Sequence, residues 1–339
     1  MKFFKKNIFF AITYIFLLII ITIYIYLLVY AKKTIKLSEE KIFIVPPGTN
    51  RFSLEKILIN EKIIYKKNKF QLLLRLYPYL SKIKAGTYKI KTNMTLEDIL
   101  LLISNGKEFQ FNIRFIEGSC FNDWIKILKK TPYLKHELQK ITYSELCSLI
   151  DSKKKIKLEG LLYPDTYFYT ANTSDIEIIK RAYNRMKLIV NKEWKNRDKL
   201  IPYKNNYELL IIASIIEKES KIYNEKLKIS SVFINRLKKN MRLQTDPTVI
   251  YGLGDKYKGK LYKSNLKYYT QYNTYKIIGL PPTPISMPSI KSIKAAAHPD
   301  KTDYLYFVSD GKGGHIFAKN LKEHNLSIRN LNNSIKKLK

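Results

Sequence analysis

The chain has 339 residues, 45% of them apolar, and carries a formal charge of +34 from 62 Lys and Arg against 28 Asp and Glu. That length suits two ordinary domains with a real core. The charge points to a polyanionic neighbour (nucleic acid, acidic lipid or an anionic wall polymer), but the excess is lysine scattered alongside Ile, Asn and Tyr, a pattern of compositional bias. No arginine-rich stripe or nucleic-acid module signature accompanies it, which argues against nucleic acid as the partner. The two cysteines, Cys120 and Cys147, fit no zinc spacing, and the four histidines, His136, His298, His315 and His324, are too dispersed to suggest a metal site.

Residues 1–7 are a short basic leader with Lys2, Lys5 and Lys6. Residues 8–30 contain no charge and almost no polar group. As a helix they reach roughly 34 Å, enough to cross a hydrocarbon core of about 30 Å. A cleaved signal peptide has a shorter apolar region and a small-residue cleavage site. Ala31 alone does not supply one, so an uncleaved transmembrane helix is expected. Lys32, Lys33 and Lys36 balance the lysines before it, so the charge rule does not orient the span.

Next comes "KIFIVPPGTNRFSLEKILINEKII", read as a short strand, a Pro-Pro-Gly turn, and a helix from Leu54 capped by Ser53. "KAGTYKIKTNMTLEDIL" repeats that grammar, with Thr95 as cap and Asp98 at the capping-box position. The pair predicts a small α/β module, and "FQFNIRFIEG" a strand near 109–118. A boundary is expected between 120 and 155. Beyond it, helical spacing covers 174–194, 205–223 and 225–239. "YLYFVSD" and "HIFAK", joined by glycines at 311–314, predict a hairpin. The fold class is therefore α+β: one N-terminal span, a small α/β module, and a mixed α+β domain.

The stretch "LLIIASIIEKES" ends an apolar helix in two acids. At 100° per residue, Ile212, Ile215, Ile216, Glu219 and Tyr223 share a stripe, with Glu217 about 200° from Glu219, beside Ala213, Ser214 and Lys221. Glu219 thus follows the apolar stripe, whereas Glu217 faces solvent or a neighbour. A desolvated carboxyl has a raised pKa and suits general acid work. The competing reading is a helix-end glutamate paired with Lys218, Lys221 or Arg236. Among the other acids, Asp165 and Asp246 lie in turn contexts that favour Asx capping; Glu159 and Asp310 are further candidates. "GKGGH" lacks the phosphate-loop spacing and reads better as a tight hairpin.

Five strings occur in series: "LEGLLYPDTYFY", "ASIIEKES", "SVFINRLKKNMRLQTDPTVIYGLG", "YNTYKIIGLPPTPISMPS" and "AAAHPDKTDYLYFVSDGKGGHIFAKNLKEHN". Together they closely resemble the membrane-anchored endolytic murein transglycosylases, the MltG or YceG-like family, from about residue 40 to the C-terminus. The resemblance implies a LysM-like module over 40–118 and a catalytic domain over 155–339. The N-terminus would be cytoplasmic and the bulk periplasmic or extracellular, on the cell's inner (plasma) membrane. The implied reaction cleaves MurNAc–GlcNAc bonds inside peptidoglycan strands, leaving 1,6-anhydro ends without water. Glu219 matches the family's catalytic acid. Asn235, Gln244, Thr245, Asp246, Asn273, Tyr275 and His315 are expected sugar or peptide contacts. No metal or cofactor is implied. The expected partners are glycan strands, the membrane and peptidoglycan synthases, with no nucleic acid.

Three departures stand out. Leu161 and Leu162 replace common aromatics after "EG", Ser220 replaces a common threonine, and Thr283 replaces the glycine of "PPG", where a left-handed backbone would strain it. The alternative functions are a hydrolase in which Asp165 or Asp246 activates water, a non-catalytic peptidoglycan-binding scaffold, and a membrane-tethered nucleic-acid binder argued from charge alone.

Overall fold

The computed structural model describes residues 2–65, 67–152 and 157–337. The expected start of a catalytic domain at residue 155 lies outside them, as do residues 338–339. Two compact units emerge: Met1–Asn112 with Phe168–Asn172, and Ile113–Tyr167 with Thr173–Lys339.

The first unit opens with helix α1 (Lys2–Lys32), of which Ile8–Lys32 is long and apolar enough to cross a membrane. Its side chains from Ile8 to Tyr26 are exposed, which suits lipid contact, while Leu27 and Ala31 are buried in the unit's core. Strand β1 (Lys41–Val45) leads through the Pro-Pro-Gly turn to α2 (Arg51–Asn60) and α3 (Lys67–Leu76). Strand β2 (Gly86–Ile90) precedes α4 (Leu96–Asn105) and pairs antiparallel with β1, Phe43 opposite Tyr88. Phe43, Leu54, Leu58, Phe70, Leu73, Tyr88, Ile99 and Leu100 fill the space between sheet and helices. The Thr95–Asp98 capping box forms as expected. The cap of α2 differs from expectation: Asn50, not Ser53, is the N-cap, its Oδ1 accepting the Phe52 and Ser53 N–H groups at 3.0 Å. An Asn three residues earlier starts the helix nearly one turn sooner and satisfies the first-turn donors there, so Ser53 lies inside the helix.

Strand β3 (Phe111–Arg114) is shorter than the expected 109–118. The second unit continues with α5 (Phe121–Lys130) and α6 (Tyr143–Ile150). Strand β4 (Thr166–Tyr169) is followed by α7 (Asp175–Asn196), α8 (Asn206–Glu219) and α9 (Tyr223–Lys238). Then come α10 (Asp246–Leu253), α11 (Lys263–Lys267) and α12 (Ile290–Ala297). The chain ends in the antiparallel hairpin β5 (Tyr306–Ser309) and β6 (His315–Ala318), then α13 (Leu321–Lys337).

Helix α8 is the axis of this unit, and every residue from Leu209 to Ile216 is buried. The expected two-faced helix is therefore corrected to one enclosed on all sides. Small residues make this possible. Ala213 and Ser214 on α8, and Ala295, Ala296 and Ala297 on α12, let backbones approach closely. Ser214 is satisfied inside the core: its Oγ accepts the Ile285 N–H and its carbonyl accepts from the Ser286 hydroxyl. The helix also stops earlier than its periodicity suggests. Ser220 is extended (φ −142°, ψ 146°), and Tyr223 belongs to α9. Glu219 is thus the last residue of α8, where the chain turns sharply.

The PPG departure is accommodated without strain. Thr283 is not in the left-handed region. Its hydroxyl bonds the Pro284 carbonyl and the Tyr272 phenol, at 2.8 and 2.9 Å. Gly160, by contrast, has φ +76°, and a Cβ there would lie 2.2 Å from the Pro284 Cβ. Leu162 is fully buried and Leu161 packs against the core, so both serve the interior.

Candidate active site

The end of α8 opens into a cleft of about 540 Å³ lined by Glu219, Arg236, Gln244, Thr245, Asp246 and Tyr275, together with the β5–β6 hairpin, His315 and α13. Glu219 keeps some surface through the cleft. The surrounding protein is dense enough to strip its carboxyl of most hydration, and this pushes its pKa up to about 7. The charge of Asp246 adds to the rise; the Thr245 hydroxyl, donating to Oε1, and His315 oppose it. Among the described residues, no cation lies within ion-pair distance of Glu219, so pairing with Lys218, Lys221 or Arg236 is not what the structure shows. A carboxyl of this kind holds a proton near neutrality and can release it to a partner in the cleft.

The wall beside Glu219 is built around Thr245. Its N–H donates to the Thr274 hydroxyl at 3.0 Å, and Thr248 and Thr274 share a hydroxyl pair at 2.8 Å, all three threonines being buried. Gln244 adopts φ +51° just before it and donates its N–H to the Thr274 carbonyl. Asp246 opens α10 and accepts the Tyr275 phenol at 2.7 Å. The buried Arg236 guanidinium donates to the carbonyls of Leu305, Arg242 and Leu243 and to Gln244 Oε1, and lies over the Tyr306 ring. It is structural cement at the cleft floor, neither solvated nor salt-bridged.

His315 begins β6. Its backbone N–H reaches Glu225 Oε1 at 2.8 Å and its Nδ1 lies 2.9 Å from Glu225 Oε2. Ser220 Oγ donates to the same Glu225 oxygen at 2.9 Å. The sequence singles out Ser220 only as a replacement for a common threonine and assigns Glu225 no role. Glu225 lies 90 residues from His315, and no local pattern links them.

Two expected contacts sit apart from this group. Asn235 donates its amide to the carbonyls of Thr302 and Tyr304, tying α9 to the chain ahead of β5. Asn273 is fully buried and bonds Leu266 O, Tyr268 O and the Tyr275 N–H, shaping the loop that carries Tyr275. The cleft therefore gathers Glu219, Gln244, Thr245, Asp246, Tyr275 and His315, and not Asn235 or Asn273.

The remaining acids have other partners. Glu217 is clamped by Ser289 and Ser292 and pairs with buried Lys226 at 3.0 Å. Glu159 accepts the Phe121 N–H at the start of α5 and the Tyr251 phenol, and burial pushes its pKa to about 7. Asp165 accepts its neighbour's N–H and pairs with Arg185 at 2.5 Å. Asp310 caps the hairpin turn through the Lys312 and Gly314 N–H groups, so "GKGGH" is a turn. Both cysteines are free thiols. The described residues hold no cluster of three or more His, Cys, Asp or Glu suited to a metal.

A family model described as the YceG-like family matches residues 43–330. The chain is 36% identical over 300 residues to a Bacillus subtilis protein named endolytic murein transglycosylase, covering 83% of this chain and 82% of that one. A Streptococcus pneumoniae protein of the same name is 27% identical over 286 residues, 74% of this chain and 51% of its own length. Among solved structures, a yceG-like protein of Listeria monocytogenes is similar with a TM-score of 0.56 and 31% identity, covering 85% of this chain and 99% of that one.

Proposed function

Because the chain belongs to the YceG-like family, we propose that it is an endolytic lytic transglycosylase acting on peptidoglycan. It is anchored by residues 8–30 with the N-terminus cytoplasmic, and its working domain, residues 155–339, lies outside the membrane beyond a LysM-like module at 40–118. It cuts the MurNAc–GlcNAc bond within nascent strands and leaves 1,6-anhydroMurNAc ends, terminating elongation alongside the synthases. The observation that carries the reading is Glu219: a carboxyl whose pKa burial pushes up to about 7, on the wall of an open cleft.

The chemistry follows from that proton. Glu219 donates it to the glycosidic oxygen as the C1–O bond breaks, and the departing sugar leaves with a neutral hydroxyl. Positive charge develops at the anomeric carbon. The muramyl 6-oxygen closes on C1, and its proton passes to the Glu219 carboxylate, which regains its starting form. Because the nucleophile belongs to the substrate, a single protein carboxyl suffices. Thr245 holds the Glu219 carboxyl in one orientation. Gln244, Asp246, Tyr275 and His315 offer polar contacts to the saccharides, and Asn235 and Asn273 support the walls from behind.

A hydrolytic reading has one specific observation in its favour, since Asp246 lines the same cleft. Mass spectrometry of purified glycan strands after digestion separates the two. Anhydro ends made by the wild type and lost in Glu219→Gln support the transglycosylase; reducing ends support the hydrolase. No cleavage by a folded, membrane-reconstituted wild type supports a binding scaffold.

A further inference from the structure

His315 is held in a way that fixes its chemistry. The Glu225 carboxylate takes the backbone N–H of His315 on one oxygen and its Nδ1 on the other. Ser220, next to Glu219 in the chain, donates to that second oxygen and accepts the Ile222 N–H. An ionised carboxylate only accepts, so Nδ1 must carry the proton. Although burial works against ionisation, the bonds from His315 and Ser220 keep the Glu225 carboxyl below the usual range. Space is arranged for this clamp: a Cβ on Gly314 would lie 2.8 Å from Glu225 Oε1 and 2.9 Å from Asp310 Oδ2. The imidazole also packs against Phe307 and Phe317, edge-on to the former. With Nδ1 engaged behind it, Nε2 is the ring nitrogen left for the cleft that His315 lines with Glu219.

We propose that Glu225 is a positioning residue that locks His315 as the Nδ1–H tautomer, so that its Nε2 lone pair accepts a hydrogen bond from a hydroxyl or acetamido N–H of the saccharide held beside Glu219. This rests on the transglycosylase reading and adds a second fixed point to the substrate. Glu219 supplies the proton from one wall, and His315 orients the sugar from the hairpin. Among the described residues, the titratable acids that act on the imidazole are Glu225, Glu219 and Asp310. Because Ser220 bonds both the turn and Glu225, the base of the hairpin and the end of α8 are braced by one carboxylate.

The test uses the full chain in lipid nanodiscs with ¹⁵N-labelled histidine, following the ring nitrogens by two-bond ¹H–¹⁵N correlation. His315 is assigned by the signal lost in His315→Gln. The expected result is an Nδ1–H tautomer in the wild type that is lost or mixed in Glu225→Gln. Anhydro-end formation in that variant should fall on the order of 10²-fold, mainly in kcat, since a misoriented substrate is the defect. An Nε2–H tautomer in the wild type overturns the proposal even if the variant fails to fold. So does a Glu225→Gln protein with wild-type kcat. A wild type that makes no anhydro ends overturns the functional reading instead, and the tautomer measurement still reports on Glu225 separately.

Discussion

Glu217 and Glu219 stand two residues apart at the end of one helix, and their surroundings drive them in opposite directions. Glu217 is enclosed too, and burial alone would raise its pKa. The hydroxyls of Ser289 and Ser292, the charge of Lys226 and the Ser289 N–H more than reverse that, and the pKa is lowered. Glu219 receives one hydroxyl from Thr245 and faces the negative Asp246, so burial prevails and its pKa rises to about 7. Burial is common to both; the number of donors separates them. A carboxylate with a cation and several donors is a structural tie, whereas one with a single donor beside an open cleft keeps its proton to higher pH, the state that the proposed acid role requires.

The sharpest way to break this contrast is to remove each acid in turn. Glu219→Gln should lower the rate of strand cleavage by roughly 10²–10⁴-fold with the fold intact, read by mass spectrometry of the products and by thermal unfolding. Glu217→Ala should do the reverse. It leaves Lys226, whose side chain is 3% exposed, charged and unpaired, and should cost about 3–5 kcal/mol of stability, read by denaturant titration. If both variants lose only activity, Glu217 is more than a tie.

The two acids also predict opposite pH dependences. The folded pKa of Glu219 is above the unfolded value, so the folded state binds more protons between about 4.5 and 7 and stability declines as pH rises through that window. Glu217, lowered on folding, contributes stability above its unfolded pKa that is lost as pH falls through the folded one. Catalysis through protonated Glu219 should fall as pH rises past about 7. Smaller effects tune that limb. Thr245→Val removes a donor that lowers the Glu219 pKa and should move the limb to higher pH. Asp246→Asn removes a charge that raises it and should move the limb to lower pH. Rate–pH profiles of the two variants that shift in the same direction would contradict the assignment.

Much of the fold was legible because its signals are local. The apolar run at 8–30, the Thr95–Asp98 capping box, and the glycine turn between two alternating strands each depend on neighbours within a few residues. Helix α8 was legible as a helix, but its end was not. The apolar spacing continues to Tyr223, while Ser220 leaves the helix because its hydroxyl is engaged by Glu225 and the Ile222 N–H. The cap of α2 was misplaced because Asn50 and Ser53 both satisfy the same preference, and only the path of the chain chooses between them.

By itself, the sequence determined an α+β protein with one membrane-length helix and an acid at the end of an apolar helix. It also carried the order of strings by which the family is recognised. Only the tertiary structure decided what surrounds that acid and its neighbour Glu217. Lys226, Ser289 and Ser292 come to Glu217, and Thr245, Asp246 and His315 come to Glu219, from segments 9 to 96 positions away along the chain. A pKa is set by how many donors and charges surround a carboxyl and by how much water is excluded. Both depend on long-range packing, which helical periodicity does not encode.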